Sequence, residues 1–243
     1  MIIKVCGMRD ADNIREVEQL DIDWMGFIFW QDSPRYVSQI SSRAGIIPDY
    51  SSLDAPAAKS SDAGRRVKRV GVFVDDMPQN IVTRVYNYDL DIIQLHGDES
   101  AVMIDNLRRT IDPDIKAGIK IIKALSISSV SDLDKAEEYA GHVDYFLFDT
   151  KTPLKGGSGE QFDWSILDHY KGNTPFLLSG GIGPDDAERV KAFRHPQCIG
   201  IDLNSRFETA PAVKDVALLK QFIHELRVKN LELLPAAIMN CEL

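Results

Sequence analysis

Residues 2–6 read IIKVC and residues 145–149 read YFLFD. Each run is short and apolar on both faces, the pattern of a parallel strand covered on both sides. Each then stops on a reactive side chain, Cys6 in one and Asp149 in the other. A thiol and a carboxyl delivered to the same rim of a parallel barrel could act as a base and an acid.

Comparable runs at 24–29, 69–74, 92–95, 120–125, 176–179 and 198–203 bring the number of strands to eight. Amphipathic stretches separate them. Asp10 or Asp12 is placed to cap a first helix whose stripe is Ile14, Val17 and Leu20. A last helix turns Val216, Leu219, Phe222, Ile223 and Leu226 inward. So regular an alternation predicts a (β/α)8 TIM barrel, single domain over residues 1–243, rather than an open doubly wound sheet. Chemistry in such a barrel sits at the C-terminal ends of the strands.

Two stretches break the rhythm. Residues 45–66, GIIPDYSSLDAPAAKSSDAGRR, are rich in Ser, Ala, Asp and Pro and lack periodicity, so a flexible surface insertion is expected there and the second helix is short or displaced. The C-terminal tail at 230–243 carries Leu231, Leu233, Leu234, Ile238 and Met239, which suit packing on the barrel bottom or on another subunit. Monomer and homodimer both stay open.

With 243 residues, 44% of them hydrophobic, the chain can bury one large core. Its three cysteines, Cys6, Cys198 and Cys241, have neither disulfide-framework nor zinc-site spacing, which points to a reducing, cytoplasmic setting and to no metal. No apolar stretch approaches the roughly 20 residues that cross a bilayer, so no membrane role is expected. A net charge of −9 disfavours nucleic acid as a partner. Any phosphate site must therefore be local.

The strand ends supply candidates. In KVCGMR, Gly7 lets the chain turn sharply beneath Cys6, which is either a small buried hydrophobe or a base. Arg35, in SPRYVS after the second strand, has the planar fork that binds carboxylates bidentately. His96 in QLHGDES could orient a substrate or cap the next turn. Asp149 leaves an apolar environment that would keep its proton on, unless loop amides bond it and lower its pKa. KGGSGEQFDW, with Gly157, suits a lid or an anion cradle. In LLSGGIGPDD, Gly180, Gly181 and Ile182 bring backbone amides to a ligand, and in GIDLNSRFE, Asn204 and Ser205 are placed to cap a short helix that attracts anions. Loops after strands seven and eight form the recurrent phosphate site of these barrels.

Taken together, KVCGMR, GFIF with SPRYVS, VGVF, QLHGDE, FLFDT, GGSGEQFDW, SGGI and IDLNSRFE resemble phosphoribosylanthranilate isomerase of tryptophan biosynthesis, in order and over nearly the whole chain. The resemblance implies an Amadori rearrangement of a small-molecule phosphoribosyl substrate, N-(5-phosphoribosyl)anthranilate, with no cofactor. It implies Cys6 as general base, Asp149 as general acid, Arg35 as ligand of the anthranilate carboxylate, and His96 and Asp202 lining the substrate. Such a scheme asks the thiol, near 8.5 when unperturbed, to fall and the carboxyl, near 3.9, to rise. The chain departs from the family after DLNS, where Arg206 and Phe207 replace a glycine and a small apolar residue. The competing functions are another phosphosugar barrel enzyme and a non-catalytic barrel that binds a phosphorylated metabolite.

Overall fold

The computed structural model describes residues 1–38, 66–150 and 163–228. Most of the expected 45–66 insertion, Gly157 with its glycine-rich loop, and the 230–243 tail lie outside the described residues.

Eight parallel strands close into a barrel in the order β1 to β8: Ile2–Cys6, Trp24–Ile28, Lys68–Phe73, Ile92–Leu95, Lys120–Ile127, Tyr145–Thr150, Phe176–Ser179 and Cys198–Leu203. β1 pairs with both β2 and β8, which completes the ring. Four strands have the expected bounds; β2, β5 and β6 differ by one or two residues at the C-terminal end, and β3 is displaced by one residue at both ends.

Alternation along each strand sorts side chains into two cores. Facing outward, Ile3, Val5, Phe27, Ile93, Phe146, Phe148 and Leu178 pack under the helices in one continuous cluster. Trp24, Val70, Ile92, Ile122, Ala124, Leu147 and Leu177 form a second, smaller cluster that fills the barrel. This inner plug makes the lower barrel solid, so a ligand can enter only from the end above it.

The helices join the outer core. In α1 (Ala11–Glu18), Asp10 Oδ1 accepts from the Asn13 amide at 2.9 Å, so Asp10 is the cap and Leu20 falls just beyond the helix. α2 (Pro78–Tyr88), α3 (Ala101–Ile111) and α4 (Ala187–Ala192) follow β3, β4 and β7. α5 (Val216–Arg227) buries Leu219, Phe222 and Ile223 as the sequence stripe requires. Two expected α-helical connections are instead 3₁₀ helices, Val130–Tyr139 after β5 and Trp164–His169 before β7. The first begins at a capping box: Asp132 accepts from the amides and hydroxyls of Ser128 and Ser129, which lower its pKa to about 2. A short antiparallel pair, β9 (Glu208–Ala210) and β10 (Val213–Lys214), lies between β8 and α5.

Candidate active site

Directly above the inner plug, the C-terminal ends of every strand but β5 line a cavity of about 200 Å³, far more than one water occupies. Its walls follow the inward register. Cys6 lies two residues beyond Lys4, Ile28 two beyond Gly26, His96 two beyond Gln94, Asp149 two beyond Leu147, Ser179 two beyond Leu177, and Asn204 two beyond Asp202. Period-two geometry therefore gathers side chains that are far apart in sequence onto one rim. Cys6 and Asp149, at the C-terminal ends of β1 and β6, line the same pocket.

Cys6 is buried, and its neighbours are charged. Beneath it, Lys4 Nζ donates to Asp202 Oδ1 at 2.8 Å, with the lysine fully buried and the carboxylate nearly so. Burial pushes the Cys6 thiol up, while Lys4 and Lys214 pull it down and Asp202 pushes it further up. Burial prevails. The fall expected from the sequence is therefore not met, because burial outweighs the pull of the two lysines. For Lys4 the opposing influences are burial, which lowers its pKa, and Asp202 and Cys6, whose stronger sum raises it.

His96 Nε2 stands 3.8 Å from Asp149 Oδ2, and His96 Nδ1 is 3.1 Å from Gln94 Nε2. His96 thus faces Asp149 across the cavity. Below it, Lys123 bonds the Gly97 carbonyl and pairs with buried Glu99 at 3.1 Å. Glu99 in turn accepts from the amides of Asp75 and Gly97, which fixes the turn that carries His96.

The opposite wall is made of Gly180, Gly181, Ile182, Asn204, Ser205 and Arg206. Gly180 and Gly181 have φ of 97° and 70°, a region closed to most side chains, and so keep backbone amides close to the cavity. Asn204 does not cap the 3₁₀ turn Ser205–Phe207 with its side chain as expected; its Oδ1 instead accepts from Lys214 Nζ at 2.9 Å. Arg206 is not among the described residues with positive φ, so replacing glycine there strains nothing, and its side chain joins the pocket wall. Phe207 turns inward onto Phe222 of α5, their ring centroids 5.0 Å apart.

Arg35 binds a carboxylate of the protein itself. Rather than lining the cavity, it runs over Gly7, where a Cβ would lie 2.6 Å from Arg35 Cδ, and gives Nε and Nη2 to Glu208 at 2.8 and 2.6 Å. That bond raises the arginine pKa further and, with Lys214, outweighs burial to hold the Glu208 carboxyl below its ordinary range. Lys214 Nζ also reaches Glu208, at 2.5 Å. Two cations and one anion leave the trio with a net charge of +1 when Lys214 is protonated, a local excess within a chain of net charge −9. Lys4 and Gln94 were detectable as polar residues at inward positions of apolar strands. Glu208 and Lys214 carried no such signal.

The family model for N-(5'phosphoribosyl)anthranilate (PRA) isomerase matches residues 3–225. A protein of Parabacteroides distasonis named N-(5'-phosphoribosyl)anthranilate isomerase is 46% identical over 226 residues, 93% of each chain. The crystal structure of phosphoribosyl anthranilate isomerase from Thermus thermophilus superposes with a TM-score of 0.70 at 26% identity, covering 93% of this chain and 98% of that one. A phosphoribosyl anthranilate isomerase solved in complex with reduced 1-(o-carboxyphenylamino)-1-deoxyribulose 5-phosphate gives 0.68 at 26% identity, with the same coverage. The chain thus belongs to the N-(5'-phosphoribosyl)anthranilate isomerase family and converts N-(5'-phosphoribosyl)anthranilate to 1-(2-carboxyphenylamino)-1-deoxyribulose 5-phosphate in tryptophan biosynthesis.

Proposed function

We propose that this isomerisation runs by general acid/base catalysis with Asp149 as the acid and Cys6 as the base. The observation that carries the assignment is that the two side chains share one cavity while arriving from β1 and β6, well separated around the ring. A sugar held between them presents its ring oxygen to one and its C2 hydrogen to the other.

Asp149 donates a proton to the ribose ring oxygen as the bond from that oxygen to C1 breaks, and the anthranilate nitrogen lone pair forms the C1 iminium. The cation acidifies the C2 hydrogen. Cys6, as thiolate, takes that proton, and the C2–H electrons form the C1–C2 double bond while the iminium electrons return to nitrogen. In the final tautomerisation a proton is added at C1 and the C2 hydroxyl proton leaves, giving the ketone. The substrate's own nitrogen is the electron sink throughout.

Binding follows the charges around the cavity. The amides of Gly180, Gly181 and Ile182, with Asn204, Ser205 and the guanidinium of Arg206, suit the 5-phosphate. The net positive Arg35, Lys214 and Glu208 trio suits the anthranilate carboxylate, with Arg35 shared between substrate and Glu208. His96 and Asp202 face the sugar. The protein is proposed to work in the cytoplasm, as a monomer or homodimer, on this small molecule and not on nucleic acid.

The test is product fluorescence with freshly made phosphoribosylanthranilate. Asp149→Asn and Cys6→Ala should each lower kcat by about 10²-fold or more, the usual range of one acid or base. Near-normal turnover in either would remove that residue from the mechanism.

A further inference from the structure

We propose that Gln94 is a positioning residue that locks His96 as its Nε2–H tautomer, aiming an N–H donor at Asp149. The inference deepens the isomerase reading and rests on it.

Gln94 and His96 occupy successive inward positions of β4 and its extension, and both line the cavity. The amide nitrogen of Gln94 can only donate, so at 3.1 Å from His96 Nδ1 it requires that nitrogen to be an acceptor. A neutral imidazole has one N–H. It must then sit on Nε2, the atom 3.8 Å from Asp149 Oδ2. That separation exceeds a hydrogen bond, so the N–H faces the carboxyl without bonding it.

The other end of the amide is the second observation. Gln94 is 2% exposed, and its Oε1 has no hydrogen-bond partner among the described residues. An orphaned buried acceptor is costly unless something supplies a donor. The oxygen has almost no accessible surface, so that cost is carried by the fold while the amide nitrogen stays on His96. Turned round, the amide would accept from an Nδ1–H and leave both of its own N–H groups unpaired, and the ring proton would sit on Nδ1, the outcome that the experiment below distinguishes. Gln94 thus sets the proton position of the imidazole that faces Asp149.

The experiment is ¹H–¹⁵N correlation of the histidine ring nitrogens in the whole protein, with His96→Asn to assign the signals, alongside steady-state kinetics. Wild type should show a protonated Nε2 and a bare Nδ1 at His96. Gln94→Leu, an apolar filling of similar size, should give a tautomer mixture, while Gln94→Glu, which can only accept, should move the proton to Nδ1. Both should raise KM and lower kcat by about tenfold, the scale of one hydrogen bond. A wild-type proton on Nδ1, an unchanged ring pattern in both variants, or unchanged kinetics in both would each overturn the proposal. Loss of the isomerase reading would show separately, as failure of the wild type to turn over the ribosyl substrate.

Discussion

Gly26 lies directly across from Cys6 in the parallel register of β1 and β2, and a Cβ built on it would stand 2.7 Å from Cys6 Sγ. The glycine is there to make room for sulfur. A methyl at 26 would also come within 3.1 Å of Cys6 Cα, so backbone and thiol would both have to give way. Gly26→Ala should therefore lower kcat by about 10²-fold, the effect of displacing a reacting group by about 1 Å. Kinetics with a thermal melt check this: a kcat close to wild type would mean the thiol position is unimportant.

Because burial pushes the Cys6 thiol up, most of it is uncharged in the free enzyme near neutrality. The sign follows directly. Raising the pH increases the thiolate fraction, so kcat/KM should climb with pH through and above neutrality on its basic-residue limb. A profile flat between about pH 5 and 9 would contradict Cys6 as base.

Lys4 is the nearest compensating charge for that sulfur, and it is fully buried against Asp202. Lys4→Met should shift the same limb to higher pH. It also strands Asp202 without its partner, at a cost of about 3–5 kcal/mol typical of a broken buried pair. Lys4→Met with Asp202→Asn should recover much of that stability while keeping the limb displaced, as melts and pH profiles would reveal.

Glu208 holds Arg35 and Lys214 together, and its carboxyl titrates below its ordinary value. A depressed folded-state pKa gives stability that is present above the unfolded value, near 4.3, and is lost as the pH falls through the lower folded value. Glu208→Gln should consequently melt at a lower temperature than wild type at pH 7, with the gap closing below about pH 4. Its KM should rise, since Arg35 is left without the partner that fixes it. A gap independent of pH would separate the loss from the charge.

Short runs apolar on both faces, such as IIKVC and YFLFD, broken by helical stripes like Leu219, Phe222 and Ile223, were enough to show an eight-stranded barrel and to put Cys6 and Asp149 on one rim, because double-sided burial of parallel strands and the C-terminal location of barrel chemistry are local or generic rules. Solvent-facing connections were less legible. Val130–Tyr139 has helical composition yet winds as a 3₁₀ helix.

Other facts needed the closed ring. Lys4 meets Asp202 across 198 residues and Arg35 meets Glu208 across 173, pairings fixed by which strands end beside one another and invisible to spacing along the chain. Residue types and their order determined the barrel, its reactive end and the candidate acid and base. Tertiary structure alone decided how charge is distributed among them: burial raises the thiol, Asp202 takes the lysine's charge, and Glu208 claims the arginine, since pKa and ion pairing depend on desolvation and distance, which exist only once the chain is folded.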